Sequence, residues 1–251
     1  MTISRGRGEE VTMNSEQLTA LRGRLKNQAV EMGAHFFGIA DLSVAFEAIA
    51  RQGGDFLTAF PRAVSVGIAL RDDIVDQLYR HRETGVARTY NHYIYATVNQ
   101  SLDRIALRLA VTLDKSGFRA MLIPASNRID DKNVQGIFSH KLAARLAGLG
   151  WIGPNCLLIS PLAGPRARWV TILTDAFFVP GRPIENQCGE CQACVDECPP
   201  KAFTGRPFDP SEHRDVRFNV KRCIDYRNYL NDKVTGVKVC GMCVHVCPLG
   251  R

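Results

Sequence analysis

The chain has 251 residues, of which 45% are hydrophobic and 23% charged, with a formal net charge of +7; that is room for one good-sized domain and a small one. No stretch approaches the roughly 20 uninterrupted apolar residues of a transmembrane helix. The start, Met1 to Glu10, has neither an apolar core nor an adjacent arginine pair, so no export signal is visible, and the expected setting is cytoplasmic with no membrane partner. The basic excess is small, and Arg80-His81-Arg82 and Arg166-Ala167-Arg168 read as solvated faces.

In chain order, residues 1–13 are polar and read as a loose tail, with Met13 an alternative start. Asn14 with Gln17 makes a capping-box opening to a helix whose Leu18, Leu21, Leu25, Ala29 and Met32 keep helical spacing. His35–Ala40 and Val64–Leu70 read as short buried strands. A long amphipathic helix is predicted over 94–115, with Val98, Leu102, Ile105, Leu109 and Leu113 on one stripe and Gly117 ending it. Phe118–Pro124 reads as a strand, Phe138–Leu149 as a helix closed by Gly150, and Asn155–Ser160 and Trp169–Phe178 as strands. Interleaved helices and strands over 14–180 predict an α/β (α+β) core. Gly181, Arg182 and Pro183 mark the change to a cysteine-rich segment, 181–251.

Eight of the nine cysteines fall in that segment. Cys188, Cys191, Cys194 and Cys198, followed by Pro199, keep the spacing with which bacterial ferredoxins hold 4Fe-4S clusters, where the first three thiolates bind one cluster and the fourth binds another. Cys223, Cys240, Cys243 and Cys247 complete eight ligands. The crossing logic groups Cys188, Cys191, Cys194 and Cys247 in one quartet and Cys198, Cys223, Cys240 and Cys243 in the other. Cys223 stands far upstream of Cys240, so a loop containing Tyr226, Tyr229 and Gly236 is inserted there. Zinc is the weaker reading of the same pairs, and a disulfide framework weaker still. With each thiolate-ringed cluster carrying −2, the formal +7 falls to about +3. Clusters of this kind also imply a reducing, oxygen-poor setting.

Other cofactor signatures are missing. Cys-x-x-x-Cys-x-x-Cys, Gly-x-x-x-x-Gly-Lys-Ser/Thr and Asp-x-His-x-x-Gly do not occur, and the Gly-x-Gly-x-x-Gly of Gly148, Gly150 and Gly153 ends a predicted helix instead of following a strand.

Two segments together resemble a known family. Gly148-Leu149-Gly150-Trp151-Ile152-Gly153 with Asn155-Cys156-Leu157-Leu158, followed by the double-cluster tail with Arg222-Cys223-Ile224-Asp225-Tyr226, resemble epoxyqueuosine reductase and more distantly the core of corrinoid reductive dehalogenases. The resemblance implies a nitroreductase-like core holding a base-off cobalamin, fed single electrons by a ferredoxin-like tail. It places Gly148, Gly150, Trp151 and Gly153 against the corrinoid, the glycines allowing close backbone approach, and His92 and Tyr93 beside it. The position of the family's proton-donating aspartate is Val134 here, which leaves Asp131, His140 and Tyr90 as candidate acids. Pro154 stands where the family has a lysine, and the chain stops at Arg251 without a helical-repeat extension, so tRNA is not expected as a partner. His245 is expected to donate to a cluster sulfur, and Cys156 to be a small buried hydrophobe.

The resulting reading is an oxidoreductase for an unidentified small molecule, fed by an external ferredoxin or flavodoxin. Two alternatives stand beside it: a flavin reductase, with FMN in the same core, and a non-catalytic electron carrier or activator of a corrinoid partner protein.

Overall fold

The computed structural model describes residues 13–131 and 134–250, so the tail up to residue 12 lies outside them. Asn14 and Gln17 form the reciprocal cap, each side chain accepting the other's backbone N–H at 2.9 Å, and so start helix α1 (Ser15–Glu31). There follow β1 (Phe36–Asp41), α2 (Phe46–Gly53), β2 (Arg62–Ala69), α3 (Asp72–Val75), α4 (Thr84–His92), α5 (Asn99–Lys115), β3 (Ala120–Ile123), α6 (His140–Leu146), β4 (Trp151–Ile152), β5 (Leu158–Ile159), β6 (Ala167–Thr174), α7 (Ala193–Asp196), α8 (Val220–Leu230) and α9 (Met242–His245). Among the described residues no helix is long and apolar enough to cross a membrane.

The core is an antiparallel sheet in the order β1-β2-β6-β3, with Ser65 opposite Thr171 in the central pair. Val64, Val66, Val170 and Ile172 pack with Leu21, Leu25, Leu102 and Leu109 of α1 and α5. Ala63 and Leu173, from the alternate positions, pack with Ile49, Ala143 and Leu146 of α2 and α6. Both faces are covered, so β2 and β6 read as near-continuous apolar runs rather than alternating ones.

Several elements differ from their sequence reading. The long helix does not begin at Ile94: α4 runs from Thr84 and passes through a wide π-type turn, Tyr93–Val98, into α5. That turn shifts the apolar stripe out of the 3.6 period. Helix α6 starts later and ends earlier than expected. Ser139 caps it by accepting the Leu142 N–H, and Gly148, at φ +74°, follows its end in place of Gly150. The expected strand over 155–160 shrinks to β5, because the Asn155 side chain accepts the Leu157 N–H at 3.1 Å and bends the chain into a turn with Cys156 at φ +55°.

The two basic stretches are not solvated faces throughout. Arg166 is 1% exposed and bonds Asp72 and Asp76, each at 2.7 Å; Gly250 packs against its side chain, which pins the segment after Cys247 to the core. His81 is buried, its Nε2 2.8 Å from the Tyr226 hydroxyl, so the inserted loop is docked on the core and largely helical, with Cys223 on α8.

Candidate functional site

The eight clustered cysteines sort into two places. Cys188, Cys191, Cys194 and Cys247 line one cavity of about 120 Å³ with Asn155, Ile159 and Pro248. Burial pushes the Cys194 thiol up to about 12, with Cys247, Cys188 and Cys191 adding to the rise. The second place gathers Cys198, Cys223, Cys240 and Cys243, none of them exposed. Burial again drives Cys240 up to about 12, with Cys223 and Cys198 adding to it, and holds Cys243 well above the usual thiol range. Thiols so displaced stay neutral until a cationic inorganic core binds and draws off the protons.

Quartets on the ferredoxin spacing suit clusters, whose irons spread the four thiolates around a cubane, where zinc would need its sulfurs at about 2.3 Å from a common point. Two N–H groups already aim at sulfur: Trp151 Nε1 donates to Cys188 Sγ at 3.2 Å, and the Ala202 N–H to Cys198 Sγ at 3.4 Å. His245 does not join them, since its Nδ1 lies 3.2 Å from the Val75 carbonyl.

The residues expected to hold a corrinoid do not converge on a cradle. A Cβ on Gly148 would sit 2.4 Å from the Arg182 carbonyl oxygen, and one on Gly153 2.8 Å from the Ile159 side chain. Chain, rather than open space, fills the room these glycines leave. Trp151 is buried and committed to Cys188. His92 is exposed at the end of α4, and the Tyr93 hydroxyl accepts the Arg71 N–H at 3.0 Å. Tyr90 is buried beside Gly241 at the second quartet.

The three candidate acids fare no better. Asp131 is on the surface, its side chain 90% exposed and 3.6 Å from Arg128. Burial pushes the Tyr90 phenol up, which makes it a weaker acid. His140 has both ring nitrogens engaged, Nδ1 with Thr171 Oγ1 at 2.8 Å and Nε2 with the Pro124 carbonyl at 3.0 Å, and burial lowers its pKa to about 4. Pro124 offers only an acceptor, so Nε2 carries the proton and Nδ1 accepts from the threonine. The histidine is a neutral structural link between α6 and β6.

Beside His140 lies a site that motif reading missed. Lys141 donates to the Cys156 carbonyl at 2.6 Å, and neighbouring Asn155 donates to the Cys243 carbonyl at 3.1 Å, so one short turn joins α6 to the second quartet. Lys141 and His140 are half-buried, and desolvation lowers the lysine's pKa. Arg214 and Arg217 stand close enough to Lys141 and Cys156 to perturb both. The only sequence signal was that this lysine follows a histidine at a helix start.

An α/β core joined to paired cysteine quartets defines the class, a core carrying an iron–sulfur tail, and comparisons with known proteins supply the kin. Residues 187–250 match the family described as a 4Fe-4S double cluster binding domain. An epoxyqueuosine reductase of Bacillus anthracis is 33% identical over 119 residues, which is 46% of this chain and 30% of that protein. In fold, the chain is similar to a reductive dehalogenase whose structure suggested a mechanism for B12-dependent dehalogenation (20% identity, 98% of this chain and 33% of that one, TM-score 0.67). It is also similar to an epoxyqueuosine reductase solved with an epoxyqueuosine-modified tRNA stem loop (19% identity, 93% of this chain and 66% of that one, TM-score 0.57). The resemblance read from the sequence therefore holds in sequence and in fold, with the match spanning about a third of the length of such curated relatives. One expectation is corrected: the dismissal of tRNA as a partner conflicts with a relative solved with a tRNA stem loop.

Proposed function

We propose that the chain is an iron–sulfur oxidoreductase in which two 4Fe-4S clusters pass single electrons to an acceptor held by the α/β core. The sorting of eight cysteines into two quartets, one of them tied to α6 of the core through Cys243, the Asn155–Cys156 turn and Lys141, carries the reading. Electrons enter at the quartet containing Cys191, which is exposed, and leave from the quartet containing Cys243, whose carbonyl accepts from Asn155. Likeness in fold to a B12-dependent dehalogenase supports cobalamin as the acceptor, with flavin as the alternative. Bound there, either would supply one-electron chemistry that side chains lack. The glycine turn and the aromatic residues around Tyr90 do not form its cradle, so no step is assigned to it.

Anaerobic reconstitution tests this. About eight iron atoms and eight acid-labile sulfides per chain are expected, unchanged in Cys156→Ser and reduced in Cys247→Ser; zinc, or a single cluster, would refute the relay. Titration of the reconstituted protein with cobalamin and then FMN, followed by absorption, identifies the acceptor. Substrate turnover without a partner protein excludes the activator reading.

A further inference from the structure

Two openings share the segment 245–250. Cys247, Pro248 and Leu249 line the cavity of the quartet containing Cys191. His245 lines an open basin of about 410 Å³ with Asp72, Asp76 and Arg166, and Gly250 packs against the Arg166 side chain. Around the first opening the surface is apolar. Leu249 is 42% exposed, and Leu162, on the turn closed by Ser160 and Gly164, is 83% exposed; Gly164 abuts the Leu249 and Gly250 backbone, which sets that turn beside the cavity. Cys191 itself is exposed. The basin is acidic, because two well-exposed carboxylates face one guanidinium, each at 2.7 Å, and leave a net negative charge.

The chain that carries the ligands of this quartet has the same sign. Residues 183–200 include Glu185, Glu190, Asp196 and Glu197 and no lysine or arginine. All four are exposed, and among the described residues none makes an ion pair. Lys201 turns its ammonium to the Asp196 carbonyl and offsets part of that charge. The whole chain is basic, at +7, so an acidic face at the exposed quartet runs against the charge of the rest. An apolar centre over a redox cofactor, with a charged rim, suits a transient electron-transfer contact: the centre lets two cofactors approach, and the rim steers and orients the encounter. We propose that this face, from Leu162 and Leu249 to the basin of Asp72 and Asp76, docks the electron donor, a small redox protein with a basic rim around its own cofactor edge. A lysine or arginine of that rim enters the basin. The face rests on the reading of the Cys191 quartet as the point of electron entry. In the contact one electron leaves the donor's reduced cofactor and lowers the charge of the cluster core by one; no bond forms or breaks and no proton moves. A donor with an acidic rim meets like charge there.

The test uses the full reconstituted chain under anaerobic conditions, its iron counted, its clusters reduced with dithionite and the excess reductant removed. Stopped-flow mixing with oxidised cytochrome c, whose haem edge is ringed by lysines, and with oxidised cytochrome b5, whose haem edge is ringed by carboxylates, gives a second-order rate constant for each contact. The same contact serves either direction of transfer. The cytochrome c constant should fall about tenfold as salt rises from about 0.01 to about 0.1 M and the Debye length shortens from about 30 to about 10 Å, while the cytochrome b5 constant should rise. A chain of net positive charge would by itself give the reverse pattern, so the sign of the slope reads the local face. Glu190→Gln and Asp76→Asn should each flatten the cytochrome c slope, and Glu16→Gln, on α1, should leave it unchanged. Leu162→Ser, on an exposed turn, should slow the reaction several-fold at high salt with the slope unaltered. A cytochrome c constant that holds or rises with salt overturns the face while the relay stands, as does a slope that neither Glu190→Gln nor Asp76→Asn changes. A chain short of iron, or clusters that dithionite leaves oxidised, would remove the relay and the face with it.

Discussion

Replacing His140 by glutamine should flatten the acid side of the stability profile. The imidazole has a pKa of about 4 in the folded protein against 6.5 in the unfolded chain, with burial the main cause. A second proton would break the bond that Nδ1 accepts from Thr171. Because the folded pKa is the lower one, the unfolded state binds more protons between the two values, so stability rises with pH there and is complete above the unfolded pKa. At about 1.4 kcal/mol per unit, lowering the pH from 6.5 to about 5 would remove about 2 kcal/mol; the ring's partial exposure reduces this to about 1–2 kcal/mol. Glutamine keeps hydrogen-bonding capacity and cannot titrate. Urea unfolding of the reconstituted protein under argon at several pH values, for wild type and His140→Gln, isolates the contribution as a difference in slope, which cancels carboxylates and His81. Equal slopes would show that His140 is accessible and free to charge, and would return it to the list of proton donors.

Gly148→Ala should lower stability by about 1–3 kcal/mol, because the residue sits at φ +74° and the new Cβ would meet the Arg182 carbonyl at 2.4 Å; weaker cobalamin binding at unchanged thermal midpoint would instead restore the glycine cradle. Trp151→Phe removes the 3.2 Å bond to Cys188, so the midpoint potential of that cluster should become more negative while the other stays fixed, as followed by EPR-monitored titration. Arg166→Met should cost about 1.5–3 kcal/mol in chemical denaturation, below the 3–5 kcal/mol of a pair left buried, since Asp72 and Asp76 are 72% and 51% exposed and remain hydrated. A loss outside that range in either direction would mean that the carboxylates are not solvated as the geometry implies.

What the sequence determined by itself was whatever depends on spacing along the chain. The Asn14 and Gln17 cap, the α1 stripe and the close cysteine steps from Cys188 to Cys198 lie within a few residues of one another, where helix period and ligand reach are local quantities. The epoxyqueuosine reductase likeness was legible for the same reason, since it is carried by contiguous motifs. Charge partnership was not legible. Arg166 and Arg168 are two residues apart with the same side-chain chemistry, yet one bonds Asp72 and Asp76 and the other bonds Asn99 and lies over Tyr95. The glycine turn looked open because a sequence does not show that the Arg182 and Ile159 backbones run through the space it leaves. Arg145 and Arg217, far apart in the chain, share the Phe208 ring only because α6 packs against the segment between Cys198 and Cys223. Long-range packing chooses which charges come together, and no local period encodes that choice.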